Sequence, residues 1–198
     1  MISSLNLTYG YVTKPLEGEI ENGDQWLIKE MPDYTLIAVA DGLGHGKEAA
    51  VVAKKAISVL NNHTENATLI ELINECHMEL QGTRGTALTL VKIHNNYHVD
   101  WLGIGNVIGI HWSNIYGNTR TEVLFTQGGV VGYQLPSLRA SHFTTKPGDT
   151  LILATDGLQS NFTIEKPIYK PPQKIAEDLF KKYHNINDDA MIVVIHWE

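Results

Sequence analysis

The chain has 198 residues, 22 Asp and Glu against 15 Lys and Arg for a formal net charge of -7, 43% hydrophobic residues and one cysteine. That length suits a single domain over residues 1–198 that needs no disulfide staples, and the lone Cys76, with no leader pattern before it, sets the expectation of a reducing, cytoplasmic setting. No apolar run reaches the roughly 20 residues that span a bilayer, and an acidic chain gives phosphate backbones no footprint, so the expected partners are proteins or small molecules, with no membrane and no nucleic acid.

In chain order, Leu5 to Val12 reads as a first strand, Asp24 to Lys29 as a second after a Glu/Gly/Asn loop, and the unbroken apolar run Thr35 to Ala40 as a buried third. Past Gly46 the period changes. Ala49, Val52, Ala53, Ala56, Ile57 and Leu60 recur at helical spacing, and Leu69, Leu72, Ile73, Cys76 and Leu80 repeat the device behind Thr68 as N-cap. Strand character returns from Thr86 to His111, with turns at Asn95-Asn96 and Gly105-Asn106, and again around Val123–Phe125 and Thr150–Ala154. The Pro-rich piece Lys166–Pro172 reads as a loop, Gln173–Tyr183 as a helix with Ile175, Ala176, Leu179 and Phe180 inward, and Met191–Trp197 as a last buried strand. Strands in blocks and helices in blocks indicate an α+β layered domain rather than a doubly wound parallel sheet.

Acids stand at the ends of the apolar strands. Asp41 follows Leu36–Ala40 directly, Asp156 follows Leu151–Thr155, and Asp188-Asp189 precede Ala190–Ile195. The first two strands run into the same Asp-Gly-Leu device, in which glycine lets the backbone turn sharply. Any one of these acids alone reads as a turn residue. Together they carry more weight, because a carboxylate at the edge of a core costs several kcal/mol unless it is paired or bound to a cation. If they converge, with Asp24 of Asn22-Gly23-Asp24 nearby, Mg²⁺ or Mn²⁺ is the natural partner. A pair of such ions about 3.5–4 Å apart, sharing one carboxylate, activates water for in-line attack on a phosphate ester.

The order of Asn22-Gly23-Asp24, Val39-Ala-Asp41-Gly-Leu-Gly-His-Gly46, Gly85-Thr-Ala87, Gly103-Ile-Gly-Asn106, Ala154-Thr-Asp156-Gly157 and Asn187-Asp-Asp189 resembles the PPM-type (SpoIIE-like) metal-dependent serine/threonine protein phosphatases, in their bacterial sporulation and general-stress branch. These pieces cover nearly the whole chain, and with no sensor or coiled-coil segment left over the similarity is greatest to the stand-alone stressosome phosphatases. The resemblance implies a four-layer α/β/β/α sandwich with two central antiparallel sheets and two Mn²⁺ or Mg²⁺ ions in a cleft at one end. It makes Asp41 the bridging carboxylate, the Gly42 carbonyl a ligand of the first ion, Asp156 and Asp188 ligands of the second, and Asp24 a support of the first through water. Asp41, Asp156 and Asp188 then carry catalysis, in which a metal-bridging hydroxide attacks phosphoserine or phosphothreonine without a covalent phosphoenzyme. Gly44, His45, Arg84, Asn106 and Asp189 stand as substrate-contacting or supporting residues. The implied partners are phosphorylated regulatory proteins, STAS-domain proteins of a stressosome above all, and the implied role is to reset a stress signal. The chain is expected to be a monomer or weak dimer.

Three departures keep a second reading open. No arginine stands near Asp24 to grip phosphate, Asn106 replaces the acid that often binds a third metal, and Met191 replaces the usual Thr after the Asp-Asp pair. A phosphatase fold kept to dock a partner, weakly active or inactive, fits these, and a switch role for the helices from Lys47 to Leu80 fits either reading. Gly42-Leu-Gly-His-Gly-Lys47 is neither a P-loop nor a dinucleotide fingerprint, since Gly42 and Gly46 stand too close, Glu48 replaces Ser or Thr and Lys47 occupies the third glycine. Its amides from Gly44 to Lys47 nonetheless open a helix and can face an anion. His45 reads as an orienter of water or ligand, or as a structural hydrogen bond; Arg84 as a substrate contact or a solvated turn. The other eight histidines lack paired ligand spacing and read mostly as surface, Cys76 reads as core, and the Asn-x-Thr triplets at Asn6, Asn62, Asn66 and Asn161 are not read as glycan sites.

Overall fold

Side chains alternate between the two faces of a strand, so which faces are apolar decides how the sheets stack. The computed structural model describes residues 6–64, 66–115, 118–158 and 170–198. One sheet runs in the order β1 (Leu7–Lys14), β11 (Ala190–Trp197), β10 (Thr150–Ala154), β6 (Ile108–Ile115) and β7 (Asn118–Leu124), antiparallel throughout. The other runs β2 (Asp24–Glu30), β3 (Tyr34–Gly42), β4 (Thr86–His94) and β5 (His98–Ile104), all antiparallel, and β5 also takes the two-residue β8 (Thr126–Gln127) in parallel and β9 (Ser141–Thr144) antiparallel. Helices α1 (Gly46–Asn62) and α2 (Leu69–Glu79) cover the second sheet, and α3 (Pro172–Tyr183) covers the first.

Three apolar layers hold this sandwich together. Leu36, Ala38, Ala40, Leu88 and Leu90 meet Ala53, Ala56, Leu60, Leu72 and Ile73 of the two helices. Ile37, Val39, Val91 and Trp101 meet Leu151, Leu153, Val193 and Ile195 between the sheets. Ile152, Ile192 and Val194 meet Ile175, Ala176 and Leu179 of α3. The expected four-layer α/β/β/α sandwich is therefore present, and β3, β10 and β11 read as unbroken apolar runs because both of their faces are covered.

Local chemistry sets the helix ends. Thr68 accepts from the Glu71 amide at 3.2 Å while the Glu71 carboxylate accepts from the Thr68 amide at 2.8 Å, a reciprocal capping box that starts α2 where the sequence places its N-cap. Cys76 is fully buried on α2, and burial pushes its thiol up to about 12, which fits a core residue without reactivity. Among the described residues no helix is long and apolar enough to cross a membrane. Leu5, Asn161 and the Lys166–Tyr169 part of the Pro-rich piece lie outside the described residues.

One expectation needs correction and one needs an addition. The sequence reading misses β8 and β9, which are too short to show an apolar period. The remaining histidines do stand mostly at or near the surface, with His111 alone buried, but they are not solitary: His111 lies against Asp149, His63 pairs with Glu75, and His94, His98 and His142 gather on Asp100. Pairing of strands distant in sequence brings these groups together, which residue spacing does not reveal. Thr68→Ala, which removes the side-chain half of the α2 cap, is expected to lower the unfolding free energy by about 1 kcal/mol in a urea titration; an unchanged midpoint would mean that packing alone holds that end.

Candidate metal centre

The inward rows of the central strands end in oxygen-bearing side chains. On β3 the parity that buries Ile37 and Val39 between the sheets carries Asp41 to the same face, and on β2 it carries Asp24 after Trp26 and Ile28. Antiparallel register sets Asp24 opposite Asp41 and Asp41 opposite Ala87. From the facing sheet, the rows Leu151, Leu153 on β10 and Val193, Met191 on β11 lead to Thr155 and Asp189. Thr155 Oγ1 donates to Asp24 Oδ2 at 2.7 Å and accepts from the Met191 amide at 2.9 Å, joining the two sheets at the site.

Asp156 and Asp188 lie in the turns just beyond these rows. Asn106 Nδ2 donates to Asp156 Oδ2 at 2.6 Å, and Asp188 Oδ1 accepts from the Asp189 amide at 2.9 Å. Asp189, 3% exposed, accepts from the amides of Leu16 at 2.9 Å and Gly23 at 3.0 Å, and so ties the loop between β1 and β2 to the end of β11.

Burial and mutual repulsion raise the acids. Asp24 is pushed well above the ordinary carboxylate range by burial and then by the Asp41 charge, against a partial offset from the Thr155 hydrogen bond. Asp41 is pushed up to about 7 by burial and by Asp156, and Asp188 is raised by burial and Asp156 as well. Among the described residues the Lys and Arg ion pairs all lie elsewhere, on Glu21, Glu79, Glu48, Glu122, Glu177 and Asp178. An all-oxygen donor set of this kind, with no Lys or Arg ion pair on it among the described residues, fits a hard divalent cation.

The Asp41-to-Gly46 segment is braced rather than free. A Cβ on Gly42 would stand 2.2 Å from the Ala49 carbonyl oxygen, so α1 rests directly on the end of β3, and Gly44 and Gly46 adopt φ of +85° and +70°. Arg84 Nη1 donates to the Leu43 carbonyl at 3.0 Å and its guanidinium pairs with Glu48, clamping the loop to the first turn of α1. His45 Nδ1 lies 3.2 Å from Glu19 Oε1, and a Cβ on Gly46 would meet the same carboxylate at 2.7 Å. The anion at the start of α1 is therefore the chain's own Glu19. Asp24, Asp41, Asp156, Asp188, Asp189 and Asn106 are brought together, and the His45 charge reaches Asp188; Gly44 and Arg84 instead face each other at the start of α1. Thr155 and Glu19 were missed. Thr155 is visible in hindsight as the next step of the Leu151, Leu153 row, whereas nothing in the sequence signals Glu19.

A sequence model of the family Stage II sporulation protein E (SpoIIE) matches residues 31–198. The chain belongs to the SpoIIE family of PPM-type phosphatases. Several solved structures share this family fold. A chain from a structure of the bacterial stressosome, described as a modular system adapted to control secondary messenger signaling, is 28% identical over 96% of this chain and 100% of its own, with a TM-score of 0.87. RsbX in complex with magnesium is 19% identical, with 97% and 96% covered and a TM-score of 0.83. The PP2C phosphatase domain of SpoIIE from Bacillus subtilis, solved with a fragment of its regulatory domain, is 19% identical, with 98% and 63% covered and a TM-score of 0.82. A search of curated proteins returns no match.

Two outcomes follow from this geometry. Asp189→Ala leaves the Leu16 and Gly23 amides without their acceptor, so stability should fall by about 2 kcal/mol or more and hydrogen exchange at those two amides should quicken; unchanged exchange would show the loop is held by other contacts. Protonation of Asp41 favours the folded chain, because its folded value near 7 lies above the ordinary 3.8; that contribution is fully present below the lower value and is lost as pH rises through the upper one. With a chelator present, wild-type stability relative to Asp41→Asn should therefore decline from about pH 4 to about pH 7, as read by urea unfolding across that window.

Proposed function

We propose that this SpoIIE-family phosphatase is active, and that it releases phosphate from phosphoserine or phosphothreonine of regulatory proteins with two Mg²⁺ or Mn²⁺ ions held by Asp24, Asp41, the Gly42 carbonyl, Asp156 and Asp188. The observation that carries this reading is the convergence of mutually repelling carboxylates, with raised pKa values, at one end of the inter-sheet layer. Ions bound there would supply Lewis-acid polarisation of the phosphoryl group and a water nucleophile at neutral pH.

The chain's own residues do the rest. Asp41, repelled by Asp156 and Asp188 alike, would be a ligand of the ions, and Thr155 holds the oxygen of Asp24 that it hydrogen-bonds. Asn106 fixes one oxygen of Asp156 and leaves the other to bind. Asp189 keeps the Gly23 turn, and with it Asp24, in place. Arg84 is engaged with Leu43 and Glu48, so the phosphate charge falls to the ions and to backbone amides, and affinity for free phosphate should be low. Likeness to the stressosome chain and to RsbX supports phosphorylated STAS-domain proteins as the substrates, with resetting of a stress signal as the effect.

Phosphate release from a phosphoprotein in Mn²⁺ should fall by about 10³-fold or more in Asp41→Ala. Equal rates in the two proteins would instead favour the docking-module reading. A panel in which STAS phosphoproteins react no faster than unrelated ones would reject the substrate assignment while leaving the chemistry intact.

A further inference from the structure

Far from the carboxylates, the opposite end of the second sheet gathers imidazoles. Ala87 lies opposite Asp41, and β4 runs from there to His94, about 23 Å at roughly 3.3 Å per residue. At this end β5 contributes His98 and Asp100, and β9 sets His142 directly opposite Asp100. Asp100 Oδ1 lies 2.7 Å from His142 Nδ1 and 3.3 Å from His98 Nε2, while Oδ2 lies 2.9 Å from His94 Nε2. One ligand atom from each of His98, Asp100 and His142 falls within 4.8 Å of the other two. The His98 and His142 rings stack at 15° with centroids 5.6 Å apart, which presents their nitrogens side by side.

These separations are close to those of a metal site. With bonds of about 2.0–2.1 Å in tetrahedral geometry, neighbouring ligand atoms stand about 3.3 Å apart, so small side-chain movements suffice. Lys92, which pairs with Asp100 in the strand register, does not compete as a direct partner, because its ammonium donates to Asn66 Oδ1 at 2.7 Å and the Ala67 carbonyl at 2.9 Å. Burial works to raise the Asp100 carboxyl, but hydrogen bonds from His94 and His142 hold it below the ordinary range, so a charged ligand is ready.

We propose that His98, Asp100 and His142 form a second metal site, for one borderline transition cation of the Zn²⁺ class, separate from the hard-ion centre. Two imidazoles and one carboxylate select Zn²⁺, Co²⁺ or Ni²⁺ over Mg²⁺. His94 is a positioning residue that holds the other oxygen of Asp100, as outer hydrogen bonds commonly orient metal ligands. Binding displaces the protons that His98 Nε2 and His142 Nδ1 present to Asp100, either to solvent or to the other nitrogen of each ring. A cavity of about 380 Å³, lined also by Lys92, lies beside Asp100 and His142. Among the described strands β9 pairs with β5 alone, so the ion would cross-link it to that neighbour.

The test uses the full chain in excess Mg²⁺, which occupies the hard-ion centre. Co²⁺ titration should give one equivalent of a visible d–d band of a four- or five-coordinate site, displaced by Zn²⁺ and not by further Mg²⁺. His98→Ala and His142→Ala, with far-UV circular dichroism to confirm folding, should bind at least about tenfold more weakly, whereas Asp41→Asn should bind as wild type. Zn²⁺ should raise the melting temperature of wild type and not of His142→Ala. The absence of the band, an unchanged band in folded His98→Ala and His142→Ala, or its loss in Asp41→Asn would overturn the proposal.

Discussion

Like charges crowded where burial already penalises ionisation set the terms for this structure. Asp24, Asp41, Asp156 and Asp188 stand at one end of two facing sheets, and among the described residues no Lys or Arg ion pair relieves them. Apolar packing above and between the sheets supplies the free energy that keeps them together, and Thr155, Asn106 and the Asp189 amide each satisfy one oxygen without removing the net charge. The arrangement sacrifices local stability for a site that becomes favourable on cation binding, which is the usual form of conflict between a functional site and its scaffold.

The supporting residues show how the departures from the family pattern are absorbed. Met191 fills the inter-sheet core, and its backbone amide still reaches Thr155, so the connection between β10 and β11 beside the site does not need a hydroxyl at position 191. Asn106 is a hydrogen-bond donor to Asp156, work that a second carboxylate could not do while ionised. Arg84 and Glu48 brace the Asp-Gly-Leu-Gly loop from outside, and Glu19 takes the partial positive charge at the start of α1.

Strands with two covered faces announced themselves as unbroken apolar runs, and the capping signal at Thr68 located the start of α2 to the residue. The acids at the ends of those runs were legible because a charge directly after four or five buried positions has few cheap explanations. What stayed hidden depends on pairing across the sheets: the role of Thr155 needs β10 opposite β11, and the histidine cluster needs β9 opposite β5. A four-residue edge strand such as Ser141–Thr144 has too few positions to declare a period, so its His142 gives no hint of Asp100. Asp189 was visible as an acid but not as an anchor, since the amides it holds lie far away in sequence.

The close approach of Gly42 to Ala49 has a mechanical meaning. A contact between two backbones contains no rotamer that can turn aside, so displacement of α1 is transmitted to the end of β3 without a soft intermediate. Arg84 and Glu48 fasten the same helix turn to the loop beyond. The first turn of α1 is therefore joined, through a contact of backbone with backbone, to the residue next to Asp41.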